Sequence, residues 1–220
     1  MDLMAEFPDK YFDLAIVDPP YFKGPDRAAW YGRTTAYKPG QLRVPKNGYP
    51  SIKSWDVPGK EYFEELFRVS KEQIVWGVNY FDMPGIGPGR IVWDKVNGAS
   101  NFSDCELAYC SSLKSVRIFR YMWNGMFQGS ESAGTRACGD MSLREKRIHP
   151  TQKPVALYKW LIGKFARRGM KILDTHLGSG SIAIAAHYAG CDLVAAELDG
   201  NYFRKALERI TLETKQLAFL

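Results

Sequence analysis

Cysteine and histidine are scarce in this sequence, which has four cysteines and three histidines among 220 residues. No two cysteines stand at the C-x-x-C spacing of a zinc or redox site, so we expect no metal and no disulfide framework. Long apolar runs are also missing. None reaches the ~18 residues of a membrane span, and the N-terminus lacks the basic start and apolar stretch of a signal peptide. We therefore expect a protein of a reducing, cytoplasmic setting.

Apolar residues make up 45% of the chain and charged residues 25%, which is the composition of a globular protein. The length predicts one domain, residues 1–220, with little room for a second. Short apolar runs alternate with helical patterns, as in α/β proteins. Strands are predicted at 14–17, 73–76, 90–93, 106–110, 171–174 and 192–196, and helices at 61–70, from Pro154, at 179–189 and from 201 onward.

Positive charge is concentrated in two segments that show no regular periodicity in most of their length. Residues 22–60 carry eight basic and two acidic side chains, and residues 111–153 carry eight and three, although the whole chain has a net charge of only +6. Segregated positive charge favours a polyanion such as nucleic acid, and two solubilising loops are the alternative. We predict that 22–60 and 111–148 are basic loop insertions that bind nucleic acid. The basic residues that are candidates for this binding, and for DNA binding under the resemblance given below, are Lys23, Arg27, Arg33, Lys38, Arg43, Lys46, Arg117, Arg120, Arg136, Arg144, Lys146 and Arg147.

The first motif, Asp18-Pro19-Pro20-Tyr21, follows directly after a predicted buried strand. Asp18 can accept a hydrogen bond from an exocyclic amine, and the rigid prolines fix the direction of a backbone carbonyl that can accept another. Tyr21 can stack on a base taken out of the duplex. An ordinary strand-to-turn transition explains Asp-Pro alone, but the tetrapeptide in this place is more selective.

The second motif is a glycine-bearing turn between a strand and a helix, with the sequence Asp174-Thr175-His176-Leu177-Gly178-Ser179-Gly180. Its glycines let the backbone approach a ligand, and the helix that follows offers free N–H groups. Glu197 ends the next predicted strand, where a carboxylate can accept both hydroxyls of a ribose. These features together predict a nucleoside ligand. His176 is more typical of a polar wall than of a catalyst, and His149 either caps a helix or touches the same ligand.

These motifs, together with His149-Pro150-Thr151-Gln152-Lys153-Pro154, resemble the amino-methylating DNA methyltransferases of the permuted β group, whose catalytic motif precedes the cofactor motif. The resemblance implies a doubly wound, mostly parallel Rossmann-like sheet with helices on both faces. It also implies S-adenosylmethionine as cofactor and double-stranded DNA as partner. The catalytic residues that it implies are Asp18, Pro19, Pro20 and Tyr21. The cofactor-binding residues are Asp174, Thr175, His176, Leu177, Gly178, Ser179, Gly180 and Glu197, with Pro150, Thr151 and Lys153 beside the methionine carboxylate.

The resemblance leaves three functional alternatives. Asp at position 18 favours the N6 amine of adenine, since cytosine enzymes of the family more often have Ser there. N4-cytosine methylation is the nearer alternative, and a non-catalytic DNA-binding module with the same fold is the more remote one. The family loop usually has an aromatic residue where His176 stands, which gives a more polar cofactor wall. A homodimer and a cognate restriction nuclease are further partners that the family allows.

Overall fold

The computed structural model describes residues 2–21, 55–97, 103–124, 127–129 and 144–215. Most of the first predicted basic loop and much of the second lie outside these ranges. The candidate DNA-binding residues outside them are Lys23, Arg27, Arg33, Lys38, Arg43, Lys46 and Arg136. Among the described helices, none has the length and apolar character needed to cross a membrane.

The predicted alternation of strands and helices is confirmed, with boundaries that shift by a few residues. The strands are β1 (Phe12–Val17), β2 (Ser70–Trp76), β3 (Arg90–Asp94), β4 (Cys105–Cys110), β5 (Val116–Arg120), β6 (Met122–Asn124), β7 (Phe127–Gly129), β8 (Lys171–Asp174) and β9 (Asp192–Ala195). The helices are α1 (Asp2–Ala5), α2 (Lys60–Val69), α3 (Val155–Phe165), α4 (Ser181–Ala189) and α5 (Gly200–Lys215), with a 3-10 turn at Val78–Tyr80.

The main sheet of the described chain has seven strands in the order β5-β3-β4-β2-β1-β8-β9. β1 pairs in parallel with both β2 and β8, β9 is parallel to β8, and β5 is parallel to β3. β4 is antiparallel to both of its neighbours, β2 and β3. Six strands therefore run one way and one runs the other, so the expected mostly parallel sheet is confirmed.

Apolar side chains alternate between the two faces of the sheet and form two cores. On β1, Leu14 and Ile16 join the core formed with α3, α4 and α5, whereas Ala15 and Val17 join the core formed with α1 and α2. This strand is apolar on both faces, as expected for a parallel strand covered by helices on both sides. The expected doubly wound, single-domain fold is confirmed.

Residues 111–148 contain more regular structure than the loop insertion that the sequence predicts. β5 forms an edge of the main sheet, and β6 and β7 form a separate two-stranded sheet. Val116 and Ile118 on β5 are 60% and 52% exposed. An edge strand with exposed apolar residues among arginines lacks the apolar run that identifies a buried strand, so the sequence resembled a basic loop.

Candidate active site

Six strands end at one edge of the main sheet, which we call the carboxyl edge. β4 runs in the opposite direction and therefore starts at this edge. Asp174 ends β8, while Asp18 and Glu197 follow closely after β1 and β9. In open α/β sheets, ligands bind outside the carboxyl ends of the strands. The topology thus brings both sequence motifs into one candidate site.

The carboxylate of Asp18 is held on both of its oxygens. The Tyr21 hydroxyl donates a hydrogen bond to Asp18 Oδ1 at 2.6 Å, and the Lys153 ammonium donates to Oδ2. The Asp18 side chain is 17% exposed, so solvent and small groups reach it. An amine N–H can therefore bind Asp18 by replacing the Tyr21 hydroxyl at Oδ1.

The Tyr21 ring packs against aromatic rings from the segment after β2. It stacks on Tyr80 with centroids 4.8 Å apart and planes at 14°, and it meets the edge of Phe81 at 5.9 Å. Gly77, at φ 77°, permits this approach, because a Cβ there would overlap the Tyr21 ring. Burial and the nearby Asp18 raise the pKa of Tyr21, so its hydroxyl remains a donor. The sequence pattern gave no sign of the contribution from Tyr80 and Phe81.

Lys153 lies between two carboxylates, and its side chain is only 3% exposed. Its ammonium contacts Asp18 and, at 2.9 Å, Glu106 Oε2, while Lys95 contacts Glu106 Oε1 at 2.6 Å. Burial raises the pKa of Glu106, but Lys153 and Lys95 outweigh it and lower that pKa to about 2. The resemblance implies a place for Lys153 beside the cofactor carboxylate, whereas the structure places its ammonium at Asp18. The sequence assigned no role to Glu106, which sits in a predicted strand.

The glycine-bearing turn wraps around two carboxyl groups. Asp174 is 2% exposed, and its Oδ1 accepts a hydrogen bond from the His176 N–H at 2.9 Å. Glu197 Oε2 accepts from the Gly178 N–H at 2.8 Å, and Oε1 accepts from the Asp199 N–H at 3.0 Å. Burial raises the pKa of Asp174 to about 7 despite the hydrogen bond from His176, and burial also raises the pKa of Glu197.

These residues fit S-adenosylmethionine. A buried carboxyl with a pKa near 7 gains most from a cationic partner, and Asp174 has that property for an ammonium group. Each carboxylate oxygen of Glu197 can accept a second hydrogen bond besides its backbone N–H, as two ribose hydroxyls require. Within the described chain, no lysine or arginine forms an ion pair with either carboxylate, so neither is already neutralised by the protein.

The two histidines near the site are both uncharged at neutral pH. Burial lowers the pKa of His176 and that of His149 to about 4 each. His176 Nδ1 lies 2.9 Å from Thr175 Oγ1, which in turn lies 2.6 Å from the Tyr62 hydroxyl. These hydrogen bonds join the glycine-bearing turn to α2, and the role of His176 as a polar wall stays a prediction. His149 Nδ1 lies 3.0 Å from Thr151 Oγ1, so it organises its own loop.

Arg209 of α5 holds the glycine-bearing turn in place, although the sequence motifs assign it no role. Its side chain is 8% exposed. One guanidinium nitrogen donates to the Ser179 carbonyl and to Ser181 Oγ, each at 2.9 Å, and another donates to Glu145 at 2.9 Å. Ser181 Oγ in turn donates to the carbonyl oxygen of Lys153 at 2.7 Å. The turn and the Lys153 segment are thereby held by one buried network.

The described members of the predicted DNA-binding set differ in how exposed they are. Arg117 and Lys146 are exposed, and Arg120 lies 3.3 Å from Asp94. Arg147 is instead committed to a protein contact, because its guanidinium lies 4.6 Å from the Trp123 ring centroid and donates to the Trp123 carbonyl at 2.8 Å. Their contacts with DNA stay a prediction, as does the DNA role of Arg144.

The chain is similar to known sequences described as DNA methylase or methyltransferase. A family described as DNA methylase matches residues 116–208. The type II methyltransferase M.HpaI of Haemophilus parainfluenzae is 21% identical over 91% of the chain and 68% of its own length. The type II methyltransferase M2.DpnII of Streptococcus pneumoniae is 22% identical over 96% of the chain and 87% of its own length.

Solved structures share the fold. The complex of M1.HpyAVI with S-adenosylmethionine has a TM-score of 0.50 at 18% identity, covering 91% of this chain and 89% of that one. The PvuII DNA methyltransferase, which is cytosine-N4-specific, has a TM-score of 0.50 at 14% identity, covering 97% and 88%. The arrangement of strands and helices that the motifs implied is therefore that of known structures.

Proposed function

We propose that the chain is an S-adenosylmethionine-dependent DNA methyltransferase of the group that modifies adenine N6 or cytosine N4, and that its target is the N6 amine of adenine. The match to the DNA methylase family and the methyltransferase relatives support the first part of this proposal. The observation that carries the proposal is the geometry at Asp18. A carboxylate at the carboxyl edge has one oxygen held by an ammonium and the other held by a replaceable hydroxyl. That second oxygen is an acceptor for a neutral N–H donor.

The residues at the base pocket orient the amine. The base leaves the duplex and stacks on Tyr21, and Asp18 Oδ1 accepts one amine hydrogen in place of the Tyr21 hydroxyl. The Pro19 or Pro20 carbonyl accepts the other, which aims the nitrogen lone pair away from the ring. When bound, S-adenosylmethionine would supply the methyl group: the carbon–sulfur bond would break as the nitrogen–carbon bond forms, S-adenosylhomocysteine would leave, and the nitrogen would lose one proton to solvent. The proposed transfer needs no covalent nucleophile, so we assign no nucleophilic cysteine.

The cofactor half of the site holds the donor in line with that lone pair. Asp174 binds the ammonium group, Glu197 binds the ribose hydroxyls, and the backbone of Leu177, Gly178 and Gly180 lies against the ligand. Gly178 and Gly180 have φ angles of 55° and 75°, which favour glycine and let this backbone turn tightly. The remaining proposed contacts come from Pro150, Thr151, Thr175, His176 and Ser179.

DNA binding is assigned to the basic side chains outside the carboxylate cluster. Arg117 and Lys146 are exposed, as phosphate contacts require. Phosphate contacts place the duplex but do not read its sequence, so we expect binding that weakens steeply with salt. A second copy of the chain and a cognate nuclease are partners that the family allows, and type II relatives motivate both.

Asp18 favours adenine, whereas the cytosine-N4-specific neighbour motivates the alternative. Mass spectrometry of nucleosides from DNA treated with enzyme and labelled S-adenosylmethionine separates the two. N6-methyl-2′-deoxyadenosine is expected, and N4-methyl-2′-deoxycytidine would overturn the assignment. A non-catalytic binding module would yield neither product while still retaining DNA.

The role of Asp18 is tested by Asp18→Asn and Asp18→Ala. We expect methyl transfer to fall at least about 100-fold, since removing a group that positions the reacting atom typically has such an effect. Affinity for S-adenosylmethionine should stay within about threefold, because Asp18 faces the base. Asp192→Asn is the matched control, since Asp192 is exposed at the start of β9, the end of the strand away from the carboxyl edge. Full activity in Asp18→Ala would refute the proposal.

A further inference from the structure

Four side chains of alternating charge form a continuous series of ion pairs that begins at Asp18. Asp18 contacts Lys153, Lys153 contacts Glu106, and Glu106 contacts Lys95. Lys153 is the least exposed of them at 3%, compared with 17% for Lys95. The ammonium also lies 5.4 Å from the Trp76 ring centroid, which closes it off further. A charge buried this deeply is stable only while its counter-ions stay in contact.

We propose that Lys153 is a positioning residue that fixes Oδ2 of Asp18, so that Oδ1 alone is presented to the target amine. The proposal rests on the function proposed above and deepens it. The two bonds to Asp18 differ in how easily they are exchanged. The Tyr21 hydroxyl can rotate away from Oδ1, whereas Lys153 can leave Oδ2 only by breaking contact with an anion in a buried site. Substrate binding therefore exchanges the donor at Oδ1 and leaves Oδ2 unchanged.

Glu106 explains why Lys153 stays at Asp18 rather than moving to a cofactor carboxylate. If the ammonium moved away, both Asp18 and Glu106 would lose a counter-ion that lies in contact with them. The register of β4 supplies this restraint. Because β4 is antiparallel to its neighbours, Glu106 lies near its start and hence at the carboxyl edge. Lys95, just beyond the end of β3, supplies the second positive charge, so that two lysines balance the carboxylates of Asp18 and Glu106.

The ion pairs of Lys153 with Asp18 and Glu106 form what we call the clamp. The backbone of Lys153 connects this clamp to the cofactor half of the site. Its carbonyl oxygen accepts from Ser181 Oγ at 2.7 Å, and Ser181 is the first residue of α4, directly after the glycine-bearing turn. One residue thus contacts the base pocket with its side chain and the cofactor turn with its backbone. Lys153 sets the position of Asp18 relative to the methyl donor through this pair of contacts.

Lys153→Met separates this role from cofactor binding, since methionine keeps much of the length but removes the charge. We expect kcat on unmethylated DNA to fall at least about 100-fold, while the Kd for S-adenosylmethionine, measured by calorimetry, changes less than about threefold. Lys153→Arg should recover kcat to within about tenfold of the wild type, since guanidinium pairs well with carboxylates. Glu106→Gln should lower kcat about tenfold, because Lys153 then loses one of its two anchors.

Lys159→Met is the matched control, because Lys159 is an exposed lysine of α3 whose ammonium lies over the Tyr188 ring. It should behave like the wild type. An unchanged kcat in Lys153→Met overturns the proposal. So does a large rise in the cofactor Kd with kcat preserved, which would make Lys153 a cofactor ligand. If Lys153→Met does not fold, the order of kcat among wild type, Lys153→Arg and Glu106→Gln decides, and equal values overturn the proposal.

A readout that does not depend on activity separates this proposal from the function on which it rests. In 15N NMR of the unliganded protein, the buried Lys153 ammonium should give a slowly exchanging signal, assigned by its loss in Lys153→Arg and shifted in Glu106→Gln. If wild-type protein methylates no DNA but shows this signal, the proposed function fails and the clamp stands. If the protein methylates DNA but the signal is absent, the clamp fails and the function stands.

Discussion

The carboxyl groups in the two halves of the carboxyl edge have opposite electrostatic surroundings. On the base side, two lysines lower the pKa of Glu106 to about 2, and Asp18 has an ammonium in contact. On the cofactor side, burial raises the pKa of Asp174 to about 7, and only backbone N–H groups bind Asp174 and Glu197 among the described contacts. Carboxylates that are already paired with lysines suit a neutral amine, and we call this the compensated half. Carboxyl groups that have no cationic partner among the described residues suit a cationic cofactor, and we call this the uncompensated half.

The largest effect that tests this comparison is expected from Asp174→Asn. Removing the charge deletes a buried, charge-assisted contact with the cofactor ammonium, so affinity for S-adenosylmethionine should fall about 100-fold, or about 3 kcal/mol. Calorimetric titration measures it. Asp18→Asn is the counterpart on the compensated side and should change this affinity little. Equal losses in both variants would abolish the distinction between the halves.

The pH dependence of cofactor binding sharpens the same distinction. In its proposed role, Asp174 binds the cofactor ammonium in the ionised form, and its pKa of about 7 means that it is protonated at lower pH. Affinity should therefore rise with pH up to about 7, and below that it should fall about tenfold per pH unit. His176 and His149 do not contribute in this window, since both have a pKa of about 4. Titrations between pH 5.5 and 8.5 should show the slope in the wild type and a flat profile in Asp174→Asn.

Gly77→Ala tests the aromatic wall of the compensated half. A methyl group at Gly77 overlaps the Tyr21 ring, whereas the same change at Gly85, also at positive φ, meets open space. Both substitutions carry the strain of a left-handed residue, about 1 kcal/mol, so their difference isolates the displacement of Tyr21. We expect kcat/KM to fall about tenfold more in Gly77→Ala than in Gly85→Ala. Equal kinetics would mean that the Tyr21 position is unimportant.

The smallest effect is expected from Tyr62→Phe on the cofactor side. The Tyr62 hydroxyl lies 2.6 Å from Thr175 Oγ1 and helps to hold the cofactor turn. A hydrogen bond of this kind contributes about 1 kcal/mol, so the cofactor Kd should rise about fivefold with little change in kcat at saturation. Tyr188→Phe also loses a hydroxyl but lies on α4 and bonds to Glu213, so it should leave the Kd unchanged. A loss confined to kcat would contradict this assignment.

Local patterns predicted the parts of the site that lie close together in sequence. The apolar run before Asp18 predicted β1, and the glycine-bearing turn between a strand and a helix predicted β8 and α4. Each of these two predictions depends only on residues that are a few positions apart in the sequence. The family resemblance added the cofactor and DNA, which no periodicity could supply.

The parts that the sequence did not predict are contacts between distant segments. Lys153 meets Asp18 across 135 positions, and Arg209 meets Glu145 across 64. These pairs exist because parallel strands end at one edge and β4 is reversed, which is a property of the whole topology. β5 was missed for a different reason, since its exposed Val116 and Ile118 do not follow the apolar pattern of a buried strand.

The reversed strand β4 also has a consequence for how new specificity is acquired. Its connection to β3 leaves the sheet after Asp94 and returns at Cys105, at the carboxyl edge to which Glu106 and Asp18 belong. Residues added to this connection would leave the order and pairing of the seven strands unchanged. Under the proposed function, a preference for a new DNA sequence can thus evolve, or be engineered, by lengthening this connection while the residues of the cofactor half stay the same.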